Sequence, residues 1–263
     1  KEIGRHKAER RDLIDIAVIK LPHISNFTDF DSLEREPDVR LRYASDKDKL
    51  DDIDVIIIPG TKNVFWDLSW LKKTGLRDKI VSVIKNKQSA MLIGICGGYQ
   101  MLGAKIRDLH HLESKRYEIN GMGFLPITTI FEKDKVLSQV KAKEIGSNLK
   151  ASGYEIHHGR TKNLKRANPV FRLIERQGKD VNELDGAISE DGRIWGTYIH
   201  GIFDENYYRR DFLNRLRAKK GWQPINGLSS IDLDKELDKL AQLLRDNMDL
   251  ESVQRILFGR SSR

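Results

Sequence analysis

The chain has 263 residues, of which 39% are hydrophobic and 33% charged, so it is long enough to bury one large core. It has no run of about 18 apolar residues, which excludes a membrane-spanning helix, and its first residues lack the apolar stretch of a signal peptide. A single cysteine, Cys96, excludes an internal disulfide and suits a reducing compartment, so we expect a globular, cytoplasmic protein.

The formal net charge is +8, from 47 Lys and Arg residues against 39 Asp and Glu residues. The basic residues alternate with acidic ones, as in DKDKLDD and DLDKELDKLAQLLRD, a pattern typical of solvated helix faces. The sequence has no zinc-finger spacing, RNA-binding aromatic motif or arginine-rich arm, so we expect no nucleic-acid partner. An anionic small-molecule substrate would use the positive charge equally well.

The first half of the chain predicts an α/β fold. Residues 1–12 are charged and aperiodic and begin with Lys1, which predicts a linker tail from a missing upstream domain. Apolar runs at 13–21, 39–44, 55–60 and 90–95 predict strands buried on both faces, and a helical pattern at 64–86 and a helix from Tyr99 onward alternate with them. This rhythm predicts a largely parallel central sheet with helices on both faces.

The second half predicts a different arrangement. Between residues 109 and 193, turn residues recur about every 8 to 12 positions, which predicts a small antiparallel extension at one side of the sheet. From Asn206 onward, apolar residues recur at a spacing of three to four, which predicts helices. We therefore place the main domain at 13–221 and a C-terminal helical extension at 222–263.

The motif GICGG at 94–98 places Cys96 where a buried strand passes into a helix. This is the arrangement of a nucleophile elbow, in which a tight turn raises the nucleophile above the sheet and flanking glycines avoid clashes. The N-terminus of the following helix favours the thiolate, and the N–H of Gly97 is a candidate oxyanion donor. A lone cysteine is more often a packing residue, but the glycines favour the nucleophile here.

A thiol nucleophile needs a base, and His200 is the strongest candidate among seven histidines. It closes the apolar run RIWGTYIH at the end of a predicted strand, where catalytic side chains collect. PGTKN at 59–63 follows another strand in the same way, so the N–H of Gly60 is a candidate second oxyanion donor. A plain turn explains PGTKN equally well, whereas a phosphate-binding loop is excluded because the terminal GK[ST] is missing.

Three strand-end motifs, IIIPGTKN, GICGGYQMLG and GTYIHG, resemble those of class I (triad-type) glutamine amidotransferase domains. With GYEIHHG and DGRIWGTYIHGIFD, they resemble more closely the carboxy-terminal glutaminase domain of cobyric acid synthases, over about residues 14–216. The resemblance implies a flavodoxin-like three-layer fold. It also implies a domain that hydrolyses glutamine to glutamate and ammonia without a cofactor or metal of its own.

The same resemblance implies partners for this domain. An upstream synthetase domain of the same polypeptide would use ATP and Mg²⁺ to activate carboxylates b, d, e and g of adenosylcobyrinic acid a,c-diamide, and would amidate them with the ammonia. We therefore expect glutamine, that domain and, through it, a corrinoid as partners. The alternatives are cobyrinic acid a,c-diamide synthase, a cysteine hydrolase on the same fold, and a catalytically silent binding module.

Carried over to this sequence, the resemblance implies that Cys96 forms a γ-glutamyl thioester and that His200 is the general base and later the acid. Gly60 and Gly97 would supply the oxyanion hole. Gln100, which occupies the position of a glutamine that the family carries, would hold the amino-acid end of the substrate.

One position departs from the class I pattern. A glutamate usually stands two residues after the histidine and orients its ring, whereas this sequence has Ile202 there. The cobyric acid synthase branch is similar in lacking it, so the sequence leaves the partner of His200 open, with Asp204 and Glu205 nearby in the chain. Glu155, inside GYEIHHG, is a weaker candidate for a polar contact with the substrate.

Overall fold

The computed structural model describes residues 12–163, 167–227 and 233–259. The predicted linker tail at 1–12 therefore lies outside the described residues, except for Asp12. The chain divides into two compact units, 1–227 and 228–263.

The secondary structure of the first unit alternates between strands and helices along its first hundred residues and then becomes strand-rich. Its strands are β1 (Ile14–Ile19), β2 (Val39–Ala44), β3 (Val55–Ile58), β4 (Met91–Ile95), β5 (Lys105–Arg107), β6 (Glu118–Asn120), β7 (Ile127–Glu144), β8 (Lys150–Asn163), β9 (Phe171–Arg176), β10 (Lys179–Asp185), β11 (Ala187–Ile188) and β12 (Ile194–Thr197). Its α-helices are α1 (Asp31–Glu34), α2 (Val64–Lys73), α3 (Leu76–Asn86), α4 (Gly97–Leu102) and α5 (Asn206–Lys219), and a 3-10 turn spans Phe27–Phe30.

The central sheet has the strand order β11-β12-β4-β3-β1-β2. The five strands from β12 to β2 pair in parallel, and the two-residue β11 adds an antiparallel edge. The apolar side chains of β3 and of β4 are buried along their whole length, as the continuous Val and Ile runs predict. The predicted α/β fold with a largely parallel sheet is confirmed.

The antiparallel strands form a second sheet instead of a small extension of the first. Its order is β10-β9-β7-β5-β6, with β8 paired to β7 in a long hairpin, so it holds six strands, as the central sheet does. The ends of β7 alternate between buried and partly or fully exposed residues, so one face is available to pack. The predicted antiparallel strands are present, and they form a sheet of their own.

The helical pattern at 64–86 forms two helices, because the chain turns at Gly75 between α2 and α3. Gly75 has φ 75°, a left-handed conformation that glycine adopts without strain and that ends one helix and begins the next. The helix predicted from Tyr99 onward begins two residues earlier, at Gly97. These differences leave the order of elements unchanged.

The second unit contains α6 (Leu233–Asn247) and α7 (Leu250–Phe258). Asp249 caps α7 by accepting a hydrogen bond from the backbone N–H of Ser252 at 3.1 Å. Apolar side chains of this unit, such as Leu243 and Ile256, are exposed. Among the described helices, none is both long and apolar enough to cross a membrane.

Candidate active site

Cys96 lies on a strained turn directly after β4. Its backbone has φ 51° and ψ −107°, a conformation that few residues other than glycine adopt. A Cβ on Gly98 would lie 1.9 Å from the carbonyl oxygen of Ile58, and one on Gly94 would lie 2.6 Å from the backbone nitrogen of Tyr99. Glycine is therefore required at both positions, and the turn has the geometry of a nucleophile elbow.

His200 follows β12, the neighbour of β4 in the central sheet, and it is completely buried. Cys96 and His200 line the same cavity, where the thiol of Cys96 donates to the carbonyl of Ile156 at 3.6 Å. The backbone N–H of Cys96 donates to the carbonyl of Thr197 at 2.8 Å, which ties the elbow to the end of β12. The structure therefore brings together the two side chains that the sequence predicts as nucleophile and base.

The partner of His200 is Asp29, which sequence reasoning missed. Asp29 Oδ2 lies 2.7 Å from Nδ1 of His200, and Asp29 Oδ1 accepts a hydrogen bond from the backbone N–H of Gly201 at 3.1 Å. Asp29 is 4% exposed and lies in the 3-10 turn that follows β1. Its place after the carboxyl end of a strand was the one signal in the sequence that pointed to it.

The two acidic residues that are nearby in sequence have other partners. Asp204 accepts a hydrogen bond from the hydroxyl of Ser32 at 2.5 Å, and Glu205 accepts one from the hydroxyl of Ser152 at 2.7 Å. Both carboxylates therefore stabilise the turn after His200 and leave the ring to Asp29.

The pKa of His200 is shifted far from its ordinary value of 6.5. Burial by itself lowers the pKa, but the hydrogen bonds with Asp29 and Cys96 outweigh this effect and raise it to about 10. Asp29 lies at Nδ1 of the ring, and the amide nitrogen of Asn26 lies 3.2 Å from Nε2. At neutral pH the ring therefore holds a proton that it can donate to a leaving group.

Strand β8 holds the other side of His200. The backbone N–H of His200 donates to the carbonyl of Tyr154 at 2.8 Å, and the Tyr154 ring stacks on the imidazole at 5.1 Å between centroids. A Cβ on Gly153 would lie 1.9 Å from the carbonyl oxygen of His200. The Gly and Tyr of GYEIHHG thus allow the second sheet to approach the end of β12.

Asn26, also missed from the sequence, places its amide nitrogen 3.1 Å from Nδ1 of His200.

The two predicted oxyanion donors flank the elbow. A Cβ on Gly60 would lie 3.0 Å from Cε1 of His200, and one on Gly97 would lie 2.8 Å from Cγ2 of Thr61, so the loop after β3 packs between these groups. Across the described part of the chain, the N–H of Gly60 makes no hydrogen bond to a protein acceptor. The N–H of Gly97 lies in the first turn of α4, where helices leave donors unpaired.

Cys96 and His200 open into a cavity of about 440 Å³. Gln100 lines this cavity and is 3% exposed; its Nε2 donates to the hydroxyl of Tyr198 at 3.3 Å, and its Oε1 has no partner among the described residues. The second sheet contributes a wall of side chains that includes His157 and Lys135. An unpaired buried oxygen and a basic rim suit a zwitterionic ligand.

The residues that line this cavity do not include Glu155, the weaker candidate for a polar contact with the substrate. Its buried carboxylate accepts a hydrogen bond from Arg176 and lies 4.0 Å from Nε2 of His157. The three residues that follow Glu155 in β8, Ile156, His157 and His158, all line the cavity.

Glu113 closes the opposite side of the cavity, and sequence reasoning missed it as well. Its carboxylate accepts a hydrogen bond from the backbone N–H of Val64 at 2.6 Å and so caps the N-terminus of α2. Burial raises the pKa of Glu113 to about 7, in spite of this bond. In the described ranges, His, Cys, Asp and Glu side chains form no group of three or more that could hold a metal ion.

Comparison with known proteins gives a consistent family. Residues 15–208 match the CobB/CobQ-like glutamine amidotransferase domain. The chain is 44% identical over 247 residues to a cobyric acid synthase of Clostridium botulinum and 45% identical over 245 residues to one of Clostridium tetani. Each match covers 93% of this chain but 50% and 49% of the relative, so the chain spans about half the length of these proteins.

Solved structures agree on the fold. The structure of PurLQS from Thermotoga maritima matches with a TM-score of 0.53 at 20% identity, over 71% of this chain and 86% of that chain. A structure described as a glutamine amidotransferase matches with a TM-score of 0.53 at 15% identity, over 77% of this chain and 98% of that chain. At 20% and 15% identity, these two matches show the fold alone.

Proposed function

Because the chain belongs to the CobB/CobQ-like glutamine amidotransferase family, we propose that Cys96 attacks the γ-carbonyl carbon of glutamine and forms a γ-glutamyl thioester. The attack places negative charge on the carbonyl oxygen, and the N–H groups of Gly60 and Gly97 stabilise it. The protonated His200 donates its proton to the amide nitrogen as the C–N bond breaks, and ammonia leaves.

The second half of the reaction returns the enzyme to its starting state. His200, now neutral, takes a proton from a water molecule, which attacks the thioester carbonyl carbon. The C–S bond breaks, glutamate leaves and the sulfur of Cys96 is again beside a protonated imidazole. Asp29 holds the ring in one orientation throughout, because its two carboxylate oxygens bond Nδ1 of His200 and the N–H of Gly201.

The cavity holds the amino-acid end of glutamine by complementary charge. Oε1 of Gln100 is a free acceptor for the substrate ammonium group. Lys62 and Lys135 line the same cavity and attract the α-carboxylate. Only a substrate that carries both charged groups uses all of these contacts.

The ammonia serves the other half of a longer protein. The relatives are cobyric acid synthases about twice as long as this chain, so a synthetase part with bound ATP and Mg²⁺ would activate the acceptor carboxylates. The acceptor is adenosylcobyrinic acid a,c-diamide, amidated at b, d, e and g. In this proposal the chain itself carries out the glutaminase step.

The observation that carries this function is that Cys96 and His200 line one cavity and that Asp29 Oδ2 lies 2.7 Å from Nδ1 of His200. The first measurement is glutamate release from glutamine by the chain and by its Cys96→Ala variant. The second is mass spectrometry, which detects an adduct on Cys96 after treatment with the diazo-ketone analogue of norleucine. We expect hydrolysis and a single adduct on Cys96, both lost in the variant. An unlabelled, inactive wild-type chain would instead identify a silent binding module.

A second measurement decides the pathway. The full-length protein, supplied with ATP, Mg²⁺ and glutamine, should amidate adenosylcobyrinic acid a,c-diamide and leave cobyrinic acid unchanged. The opposite preference would assign the chain to cobyrinic acid a,c-diamide synthase.

A further inference from the structure

Two loops at the rim of the cavity are joined to each other by backbone hydrogen bonds. One follows β1 and contains His23, and the other follows β3 and contains Gly60. The N–H of Ser25 donates to the carbonyl of Gly60 at 2.9 Å, and the N–H of Lys62 donates to the carbonyl of His23 at 3.0 Å. Ile24 and Thr61 form an antiparallel bridge between them. The two loops therefore move as one unit.

One buried carboxylate, that of Asp67, ties this unit to helix α2. Asp67 is completely buried in the first turn of α2. Its Oδ2 accepts a hydrogen bond from the hydroxyl of Thr61 at 2.5 Å, and its Oδ1 lies 2.8 Å from Nδ1 of His23. Burying a carboxylate is costly unless it is fully hydrogen-bonded, so these partners hold each other in a defined geometry.

The position of this unit decides where the N–H of Gly60 points. Gly60 packs against Cε1 of His200, and Thr61 packs against Gly97. An oxyanion donor works only when it lies about 3 Å from the developing charge, so a small displacement of the loop weakens it. The contacts of Asp67 lie one residue away from Gly60, and neither Asp67 nor His23 is among the residues that line the cavity.

We propose that Asp67, with Thr61 and His23, positions the N–H of Gly60 in the oxyanion hole. The three residues, here called the loop clamp, act through Gly60. Asp67 and His23 lie outside the cavity lining, and Thr61 lines the cavity but directs its hydroxyl to Asp67. The inference rests on the proposed glutaminase function. It predicts that damage to the loop clamp lowers the rate of thioester formation and leaves the reactivity of Cys96 itself unchanged.

The test compares Thr61→Val, which loses the hydroxyl and keeps a methyl group against Gly97, with Thr61→Ser, which keeps the hydroxyl. Asp67→Asn tests the carboxylate separately, and Ser69→Ala, on the same helix and away from the loop clamp, is the control. In the 263-residue chain, kcat and KM for glutamine are measured beside the rate at which iodoacetamide alkylates Cys96, a reaction that forms no oxyanion.

We expect Thr61→Val and Asp67→Asn to lower kcat by about 10- to 100-fold, less than the complete loss of an oxyanion donor, with KM and alkylation rate within about 3-fold of wild type. Thr61→Ser and Ser69→Ala should retain most of the activity. Unchanged kcat in both damaged variants, or an equal fall of kcat and alkylation rate, would overturn the loop clamp. A wild-type chain that is alkylated but never hydrolyses glutamine would overturn the proposed function first.

Discussion

The central sheet and the second sheet contribute to the cavity in different ways. In the central sheet, the proposed catalytic and orienting residues each follow one of four neighbouring strands. They are Asp29 after β1, Gly60 after β3, Cys96 after β4 and His200 after β12. The second sheet contributes a wall of side chains from β7 and β8 and the stacked ring of Tyr154. Chemistry thus comes from one sheet and enclosure from the other.

The difference follows from how each sheet is packed. Parallel strands buried on both faces hold their carboxyl ends at nearly fixed positions, which suits groups that must meet within hydrogen-bonding distance. The second sheet reaches the site by approaching the end of β12 across Gly153. We expect substitutions in the first region to change kcat strongly, and most of those in the second to change KM more weakly.

The largest effect is expected for Asp29→Asn. Asparagine has no negative charge to stabilise the imidazolium, so at neutral pH the ring of His200 is no longer held protonated and loses the proton that it gives to the leaving group. We expect kcat/KM for glutamine to fall by about 10²- to 10⁴-fold, as measured by glutamate release. Asp204→Asn, in the turn after His200, should stay within about 3-fold; an equal loss there would contradict the role of Asp29.

A smaller effect is expected where the second sheet presses on the first. In Gly153→Ala, the added Cβ would lie 1.9 Å from the carbonyl oxygen of His200 and push β8 away from the ring. We expect kcat to fall by about 10- to 100-fold with a moderate loss of thermal stability. Gly146→Ala, where the added Cβ meets no atom within 4 Å, is the matched control in the same hairpin. Wild-type activity in Gly153→Ala would mean that β8 only covers the site.

The pH dependence of stability tests the bond between His200 and Asp29. Below about pH 6.5 the folded and unfolded chains both hold the ring proton, so its contribution to stability is fully present. Between 6.5 and about 10 only the folded chain holds it, and the free energy of unfolding falls by at most about 1.4 kcal/mol per pH unit. Asp29→Asn should show a shallower slope in urea unfolding over this range, and equal slopes would reject the coupling.

The smallest effect is expected at the rim that the second sheet provides. Lys135→Ala removes one positive charge from the cavity, and a solvent-screened charge contributes about 0 to 1 kcal/mol. We therefore expect KM for glutamine to rise by about 2- to 5-fold with kcat unchanged. Lys133→Ala, in the same exposed segment but outside the cavity lining, should leave both constants unchanged. A change in kcat for Lys135→Ala would break the distinction between the two sheets.

The sequence predicts the central sheet well because its signals are local. Continuous Val and Ile runs indicate strands buried on both faces. The glycines around Cys96 indicate an elbow, and the structure shows that a Cβ on Gly94 or Gly98 would clash with the backbone. Glu155 shows where such reasoning stops. The neighbouring residues Ile156, His157 and His158 line the cavity, but the carboxylate of Glu155 pairs with Arg176. The motif alone does not show which residues of a strand reach a cavity.

By itself, the sequence determined the alternation of strands and helices, the elbow at Cys96 and the strand-end histidine at 200, because each depends on residues that are adjacent along the chain. Only the tertiary structure decided that Asp29, 171 residues away, holds the ring of His200, and that Asp67 ties the two rim loops together. A carboxylate can pair with any group that the fold brings within reach, and neither spacing nor composition records that distance.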